Sequence, residues 1–503
     1  MNALLFRDYV YAGIGRNPLD FAKEYYLHYP KIAPLMWPPL FHVALGVFLL
    51  PGWPPDAAAL FLLAAIAAWT AWRLYRIVLT LSGPAAAACA AGIFLLAPAV
   101  VDLTSSVMLD LVLAALALEA TYWLARFASS GRLREGAVFG LFAALCCLTK
   151  GNGVALVLAP ALLIVLTGRY GLLRRSGLYA AAAMVIVLAA PLLIVSYRLD
   201  AAIGDFGPVT PGVVLERTRF YARYIVEQLG IVPVIFALIG IAAAARRTEN
   251  ARSEPPWSQA LVALTGAAFL FHVINPHMSY AGRHMTLALA PLLALTMAGV
   301  TTVGRFAAPP GRRKAVEAVL LALVAGTFLL AHPALAVRKP LGYRDAVTAL
   351  QSSDRLAGRT MLIVSDEGGE GALVTEVAAR RSDPAPTVIR GTKFLASDDW
   401  AGHHFKMTFQ STAALMQELE DLHVDYVLFD SSAAAARLPF WNQARDLLAS
   451  HADRFALTYA NVSNLEMGPT RPLALYRLLY QSPGPPKTLR VDLKYSLGVV
   501  LQR

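Results

Sequence analysis

SGLYAAAAMVIVLAAPLLIVS, residues 176–196, carries no charge and, Tyr179 aside, is apolar between its two serines. An α-helix needs about 20 such residues to cross the hydrocarbon core of a bilayer, since each one advances it by only ~1.5 Å. This stretch therefore reads as a membrane span. Nine others share its pattern, roughly 57–79, 84–101, 107–127, 136–149, 152–167, 229–245, 258–275, 285–304 and 315–335. The run from Leu40 to Leu50, boxed in by Pro38-Pro39 and Pro51, is too short to cross and is expected to be interfacial or re-entrant. Whole-chain composition agrees. Of 503 residues, 57% are hydrophobic and 15% charged, whereas soluble chains run near 25% charged. Mean hydropathy is +0.53. Disorder, collagen and coiled coil are excluded by the same figures. The expected fold is an α-helical polytopic membrane protein of about ten full spans plus one short re-entrant or interfacial segment.

The net charge is +11, from 44 Lys and Arg against 33 Asp and Glu. In a soluble protein that excess would point to nucleic acid, but location decides here. The basic residues gather in alternate connections: Arg73 and Arg76; Arg126, Arg132 and Arg134; Arg169, Arg174 and Arg175; Arg246, Arg247 and Arg252; Arg305, Arg312, Arg313 and Lys314. Short basic loops stay in the cytoplasm. The intervening loops, both termini and everything beyond about residue 338 are then expected on the outer side of the cytoplasmic membrane. Topology accounts for the charge, and no nucleic-acid partner is expected. An outward N-terminal tail with no preceding helix is unusual, so a first transmembrane helix is expected to be missing from the start. Met1 to Pro30 holds no long apolar core of a cleavable signal. Cys89, Cys146 and Cys147 all fall in apolar stretches, with neither a disulfide framework nor zinc-type spacing.

The composition changes near Tyr343, which divides the chain into a membrane domain, 1–338, and a soluble domain, 339–503. Segments 360–365, 424–429 and 473–479 read as strands by length and by β-branched or aromatic content, with a further one at 490–496. Segments 343–356, 370–381, 411–422 and 437–451 carry helical spacing. Alternating strands and helices predict an extracytoplasmic α/β domain.

Polar groups at membrane depth are costly, so those at the outer ends of spans are the first functional candidates. In the N-terminal tail, Arg7-Asp8-Tyr9, His28-Tyr29-Pro30-Lys31 and Trp37-Pro38-Pro39-Leu40 interleave aromatics with charge. That pattern suits a headgroup anchor. It also suits a site in which Asp8 takes a proton from a hydroxyl and Lys31 meets a phosphate. Asp110 opens a span, where a carboxylate either caps the helix dipole or serves a site. Glu119, deeper in the same span, is expected to hold a structural hydrogen bond. Lys150-Gly151-Asn152-Gly153 joins two short spans and offers a cation beside permissive glycines, without the spacing of a phosphate loop. In the string from His277 to His284, Arg283 presents a planar fork suited to phosphate oxygens, or else it snorkels to lipid headgroups. The mixed-charge loop 198–228 reads as a lid or as a solvated amphipathic helix. Ser365-Asp366-Glu367-Gly368-Gly369-Glu370-Gly371 lies where nucleotide-binding folds place glycines, but its three acids would repel a pyrophosphate. Asp398, Asp399, His403 and His404 read as a solvated loop, and no metal site is expected.

The order of these pieces resembles the GT-C membrane glycosyltransferases, closest to the broad group of protein O-mannosyltransferases and lipid A aminoarabinose transferases. The matching stretches are Asp8-Tyr9, His28 to Leu40 with Pro38-Pro39-Leu40, Met108-Leu109-Asp110, and Gly282-Arg283-His284. Where the family shows a paired acid, this chain has Asp8 followed by Tyr9. The resemblance spans about residues 1–335 and implies transfer of a sugar from a polyprenyl-phosphate donor to a glycan, lipid or protein acceptor, with inversion at the anomeric carbon. It implies Asp8 as the base, assisted by Asp110. Lys31, Lys150, Arg283 and His284 would lie at the donor phosphate, and Tyr9, His28 and Tyr29 at the substrate. No cofactor is demanded, and a divalent cation stays open as an auxiliary.

The rivals are a transporter or flippase of a lipid-linked or sugar substrate, and an inactive scaffold relative. Transporters often show paired halves with broken helices. Proline-bearing spans allow that, but no second half repeats the first. The predicted orientation is checked with a membrane-impermeant thiol reagent. Gly131→Cys and Gly311→Cys are expected to react only from the cytoplasmic side and His403→Cys only from outside. Reversed labelling would overturn the orientation.

Overall fold

The computed structural model describes residues 1–33, 37–200, 208–246, 255–275, 280–335, 341–353, 356–397, 405–461, 471–493 and 499–502. Three short helices come first: α1 (Asn2–Asp8), α2 (Pro18–His28) and α3 (Leu40–Phe48). With nine residues, α3 does not span, as the prolines around it imply. The apolar bundle follows as α4 (Pro55–Ser82), α5 (Pro84–Leu96), α6 (Pro98–Thr104), α7 (Asp110–Ser130), α8 (Leu133–Thr149), α9 (Leu158–Thr167), α10 (Ser176–Leu188), α11 (Ala190–Asp200), α12 (Pro211–Leu229), α13 (Ile231–Arg246), α14 (Trp257–Ile274), α15 (Thr286–Ala307) and α16 (Arg313–Ala331).

Each of the ten apolar stretches coincides with helix. Among the described residues five helices are long and apolar enough to cross alone, and up to eight if each bent pair counts as one span. The bends have local causes. Pro98 and Pro191 lack the N–H that would continue the helix, and the chain turns by 56° between α5 and α6 and by 47° between α10 and α11. At Gly230 (φ 84) the turn from α12 to α13 is 113°, so α12 lies across the end of the bundle and does not extend a span. Arg73 and Arg76 differ from expectation. Because α4 continues to Ser82, both sit on the helix, and Gly83 (φ 85) alone makes the turn to α5. Arg73 points inward to Glu119 at 2.5 Å, and Trp69 Nε1 donates to the same carboxylate at 2.9 Å. Glu119 is thus satisfied structurally.

Between bundle helices the approach is set by small residues, as expected where lipid offers no hydrophobic gain from burial. A Cβ on Gly240 of α13 would collide with the Leu295 carbonyl of α15, and one on Gly299 would collide with the Phe236 carbonyl. Those two backbones can meet only as glycine. α15 is buried almost all round, whereas α16 lies at the periphery.

The C-terminal part contains α17 (Tyr343–Ser353), β1 (Thr360–Val364), α18 (Glu367–Ala379), β2 (Thr387–Arg390), α19 (Gly391–Phe394), β3 (Ala396–Ser397), β4 (Lys406–Met407), α20 (Thr412–Asp421), β5 (Tyr426–Asp430), α21 (Pro439–Ser450), β6 (Phe455–Ala460), β7 (Leu473–Leu478), β8 (Arg490–Leu493) and β9 (Val499–Gln502). Its main sheet has the order β2-β1-β5-β7-β6, with β1 parallel to β2 and β5, and β7 antiparallel to β5 and β6. Alternation along β1 builds two cores. Leu362 and Val364 pack with Leu415, Leu419, Phe440 and Leu447 of α20 and α21. Met361 and Ile363 pack with Val347, Leu373 and Val377 of α17 and α18. That second core does not stop at the domain edge. It continues through Leu4, Tyr25 and Phe41 to Ala58, Leu63 and Val112 of the bundle. The domain boundary expected at 338/339 falls among residues 336–340, outside the described residues.

Polar contacts seat the α/β domain on the same junction. Arg344 pairs with Asp56 at the start of α4, 2.5 Å apart. His28 Nδ1 donates to the Pro386 carbonyl at 3.0 Å. Arg390 bridges Glu370 (2.7 Å) and the Pro30 carbonyl (3.2 Å). Strands β2 and β6, which the sequence reading missed, complete both edges of the sheet.

Candidate active site

α7 enters the bundle with Asp110 as its first residue, but the carboxylate does not cap its own helix. It turns sideways to Lys150, whose Nζ lies 2.6 Å from Oδ1. Both side chains are largely buried, at 4% and 13% exposure. Lys150 is delivered by the break after α8, where a 3-10 turn (Gly151–Val157) replaces α-helix before α9. From the 3-10 turn that precedes α15 (Gly282–Met285), Arg283 Nε stands 3.8 Å from the other oxygen of Asp110, with its side chain about half exposed. Three separate chain breaks thus bring one anion and two cations to one end of the bundle. A buried ion pair of this kind stands only if each charge keeps its partner.

A second layer lies beneath. His284 stacks on His272 of α14, with ring centroids 5.4 Å apart. A carbonyl can only accept, so His272 Nδ1, 2.6 Å from the Ala268 carbonyl, carries the hydrogen. His272 Nε2 then accepts from Asn152 Nδ2 at 3.0 Å. His284 is buried, and its Nδ1 has no hydrogen-bond partner among the described residues. α12 closes over this layer. A Cβ on Gly282 would run into the Tyr224 ring, so the chain before Arg283 passes under α12 only as glycine. Arg217 and Tyr221 are buried and the opposite face of α12 is exposed. The helix is amphipathic and lies as a cover. His277 falls outside the described residues.

The N-terminal candidates form a second cluster. Asp8 receives Arg7 Nε at 2.8 Å and the Tyr25 hydroxyl at 3.0 Å, and Arg381 of the α/β domain stands 3.6 Å away. Tyr9, at the start of a π-helical turn (Tyr9–Gly13), donates to the Arg16 carbonyl at 3.0 Å. Burial pushes the Tyr25 hydroxyl well above the usual tyrosine range, and the Asp8 charge adds to it. Tyr29, 4.8 Å from the Tyr25 ring, is pushed up to about 12 by burial and then by Asp8. Lys31 lies against the α/β domain: its stem passes 3.3 Å from where a Cβ on Gly371 of α18 would be. Burial lowers its pKa, as does nearby Arg390, while Glu367 and Glu370 oppose the shift. Asp8 and Asp110 therefore occupy different clusters, joined by packing that includes Tyr9, Leu109 and Val112.

The glycine-bearing loop after β1 is closed by its own chain. Arg471 makes two bonds of 2.9 Å to Asp366 and one of 2.6 Å to Asp430. Burial pulls the Asp366 carboxyl upward, but Arg471 and the Gly369 N–H outweigh it and hold the pKa below the usual range. Among the described residues no group of three or more His, Cys, Asp or Glu stands where it could hold a metal ion. Asp398, Asp399, His403 and His404 lie outside the described residues.

Sequence reading missed His272, Tyr25 and Arg381. An imidazole inside an apolar span was the available signal for His272. Nothing local marked the other two.

A family model described as dolichyl-phosphate-mannose-protein mannosyltransferase matches residues 38–195. The structure superposes on ArnT from Cupriavidus metallidurans in the apo state at a TM-score of 0.58, with 13% identity, covering 94% of this chain and 92% of that one. ArnT bound to undecaprenyl phosphate gives 0.56 at 13% identity, covering 96% and 94%. AglB, the oligosaccharyltransferase from Archaeoglobus fulgidus in complex with an inhibitory peptide and a dolichol-phosphate, gives 0.53 at 14% identity, covering 89% and 67%. A search of curated protein sequences returns no match. These likenesses show the fold. The chain is a polytopic helical membrane protein with the fold of those structures.

The buried pair predicts a stability signature. Asp110→Ala strands the Lys150 ammonium and is expected to destabilise the protein by ~3–5 kcal/mol, whereas removing both charges in Asp110→Ala/Lys150→Met restores most of the loss. Thermal unfolding in detergent checks this; a double variant no better than the single one would contradict the pairing.

Proposed function

We propose that this protein is a membrane glycosyltransferase that moves a sugar from a polyprenyl-phosphate donor to an acceptor hydroxyl at the outer face of the cytoplasmic membrane. The observation that carries the reading is the Asp110–Lys150–Arg283 constellation at one end of the bundle. Two cations held by a single carboxylate leave net positive charge at the level where a lipid-linked phosphate would lie. The ArnT structure with undecaprenyl phosphate, the AglB structure with a dolichol-phosphate and the match of residues 38–195 to a dolichyl-phosphate-mannose-protein mannosyltransferase family support a donor of that chemistry.

In this reading the acceptor oxygen attacks the anomeric carbon from the face opposite the phosphate. The new C–O bond forms as the bond to the phosphate oxygen breaks, which inverts the centre. The bonding pair leaves with the phosphate, and Lys150 and Arg283 neutralise the charge that develops there. Fixed charges aimed at a leaving group in this way often contribute more to the rate than any other single effect. Asp110 keeps the two cations spaced in the free enzyme and releases Arg283, the more exposed one, to the donor. Asp8 takes the acceptor proton. At 15% exposure it is the more accessible of the two carboxylates. Lys31, His28, Tyr9 and Tyr29 frame the acceptor side, and His284 lies beneath the phosphate. The α/β domain then stands outside the membrane. The donor's sugar and the acceptor are left to a substrate panel, run with and without a divalent cation.

The test is release of polyprenyl phosphate from labelled polyprenyl-phosphate sugars by purified protein. Lys150→Met and Arg283→Gln are each expected to lower kcat by about 10²–10³-fold. Asp8→Asn is expected to remove about 10²-fold or more, with unchanged behaviour in detergent. Full turnover in Lys150→Met would sink the phosphate site. Passage of an intact lipid-linked sugar across a vesicle wall, without phosphate release, would replace the enzyme by a transporter.

A further inference from the structure

The α/β domain docks beside Asp8, and one of its arginines approaches the carboxylate itself. After α18 the chain reaches Arg381 at φ 39, a left-handed conformation uncommon for a residue with a side chain. That turn aims the guanidinium back at the N-terminal helices, where it lies 4.4 Å over the Tyr11 ring and 3.6 Å from Asp8 Oδ1. Arg7 approaches from a buried position. Its Nε and Nη2 meet the two Asp8 oxygens at 2.8 and 3.2 Å, and Nη2 also donates to the Ala378 carbonyl of α18 at 3.3 Å. The Tyr25 hydroxyl takes a further site on Oδ2 at 3.0 Å.

A carboxylate has about four lone-pair sites. Arg7 takes two and Tyr25 one, which leaves one. Arg381, at 3.6 Å, is an ion pair too long to be a hydrogen bond, so it fixes the carboxylate without filling the last site. The side chains sort in the same way. Arg7 is 6% exposed and Arg381 51%, which places Arg381 on the solvent side from which a hydroxyl would arrive. The Tyr11 ring next to it is also exposed.

We infer that Arg381, supplied by the α/β domain, is a positioning residue for transfer: it holds the Asp8 carboxylate with one lone pair open to the acceptor hydroxyl. The inference rests on the reading of Asp8 as the base. It makes the outer domain part of the reaction centre and not only a docked neighbour.

The experiment compares two arginines of that domain in full-length protein. Arg344 also ties the domain to the bundle, through Asp56, but has no contact with Asp8 among those described. Arg381→Gln is expected to lower kcat by roughly ten- to a hundredfold, the scale on which misplacing a reacting group acts. Donor KM and thermal midpoint should stay unchanged, and Arg381→Lys should recover most of the loss. Arg344→Gln is expected to leave kcat as it was. In the Asp8→Asn background Arg381→Gln should cost nothing further. Equal effects of Arg381→Gln and Arg344→Gln would reduce Arg381 to docking and overturn the inference. So would an inactive Asp8→Asn beside an unaffected Arg381→Gln, with the base reading intact. Full turnover in Asp8→Asn would overturn the base reading and this inference together.

Discussion

A carboxylate at the start of a membrane helix must find a cation or give up its charge, and Asp110 finds Lys150 at 2.6 Å. That one contact constrains much of the bundle. For Lys150 to reach α7, α8 has to end where it does and the chain has to leave it in a tight 3-10 turn. For Arg283 to join them, the segment before α15 has to slip under Tyr224 without a side chain at Gly282. The helix breaks that look like defects in a set of spans are the means by which polar groups arrive at one level. Beneath them, the Asn152–His272–His284 layer gives the same short segments a second set of fixed contacts.

The α/β domain obeys a different constraint. Its sheet is covered on one face by α20 and α21 and on the other by α17 and α18, so it has a complete core of its own. Yet the core on the α17–α18 side runs on into α1–α3 and the starts of α4 and α7. Buried Arg390, bonded to Glu370 within the domain and to the Pro30 carbonyl outside it, locks that junction. Removing either partner of such a pair leaves a buried charge alone, at a penalty of ~3–5 kcal/mol. The N-terminal helices therefore serve as an adaptor. They carry Asp8 at the seam between a domain built on water-driven burial and one built on close backbone packing.

The amino-acid sequence made the spans legible because their signal is local: long apolar runs, with prolines where the helices bend. Alternate basic loops showed which helix ends belong together, and Asp110, Lys150 and Arg283 do meet at one end. Arg73 misled by position alone, since a helix can run past its apolar stretch and turn an arginine inward. The separation of Lys31 from Lys150 was not legible either, because which cations share a site depends on how α2 and the α/β domain dock. Strands β2 and β6 escaped for a related reason. β2 is a short strand behind a proline-rich turn, and β6 has a single buried position; only pairing in the sheet defines them. Arg381 had no marker at all. Its importance comes from a single backbone angle and a partner, Asp8, at the far end of the chain.

The most direct test is an experimental structure with a polyprenyl phosphate bound. The phosphate is expected between Lys150 and Arg283, with Arg283 turned away from Asp110 and the lipid chain leaving along the bundle. A phosphate seated at Lys31 or on the α/β domain, with Asp110 and Arg283 unmoved, would contradict the assignment of the donor site.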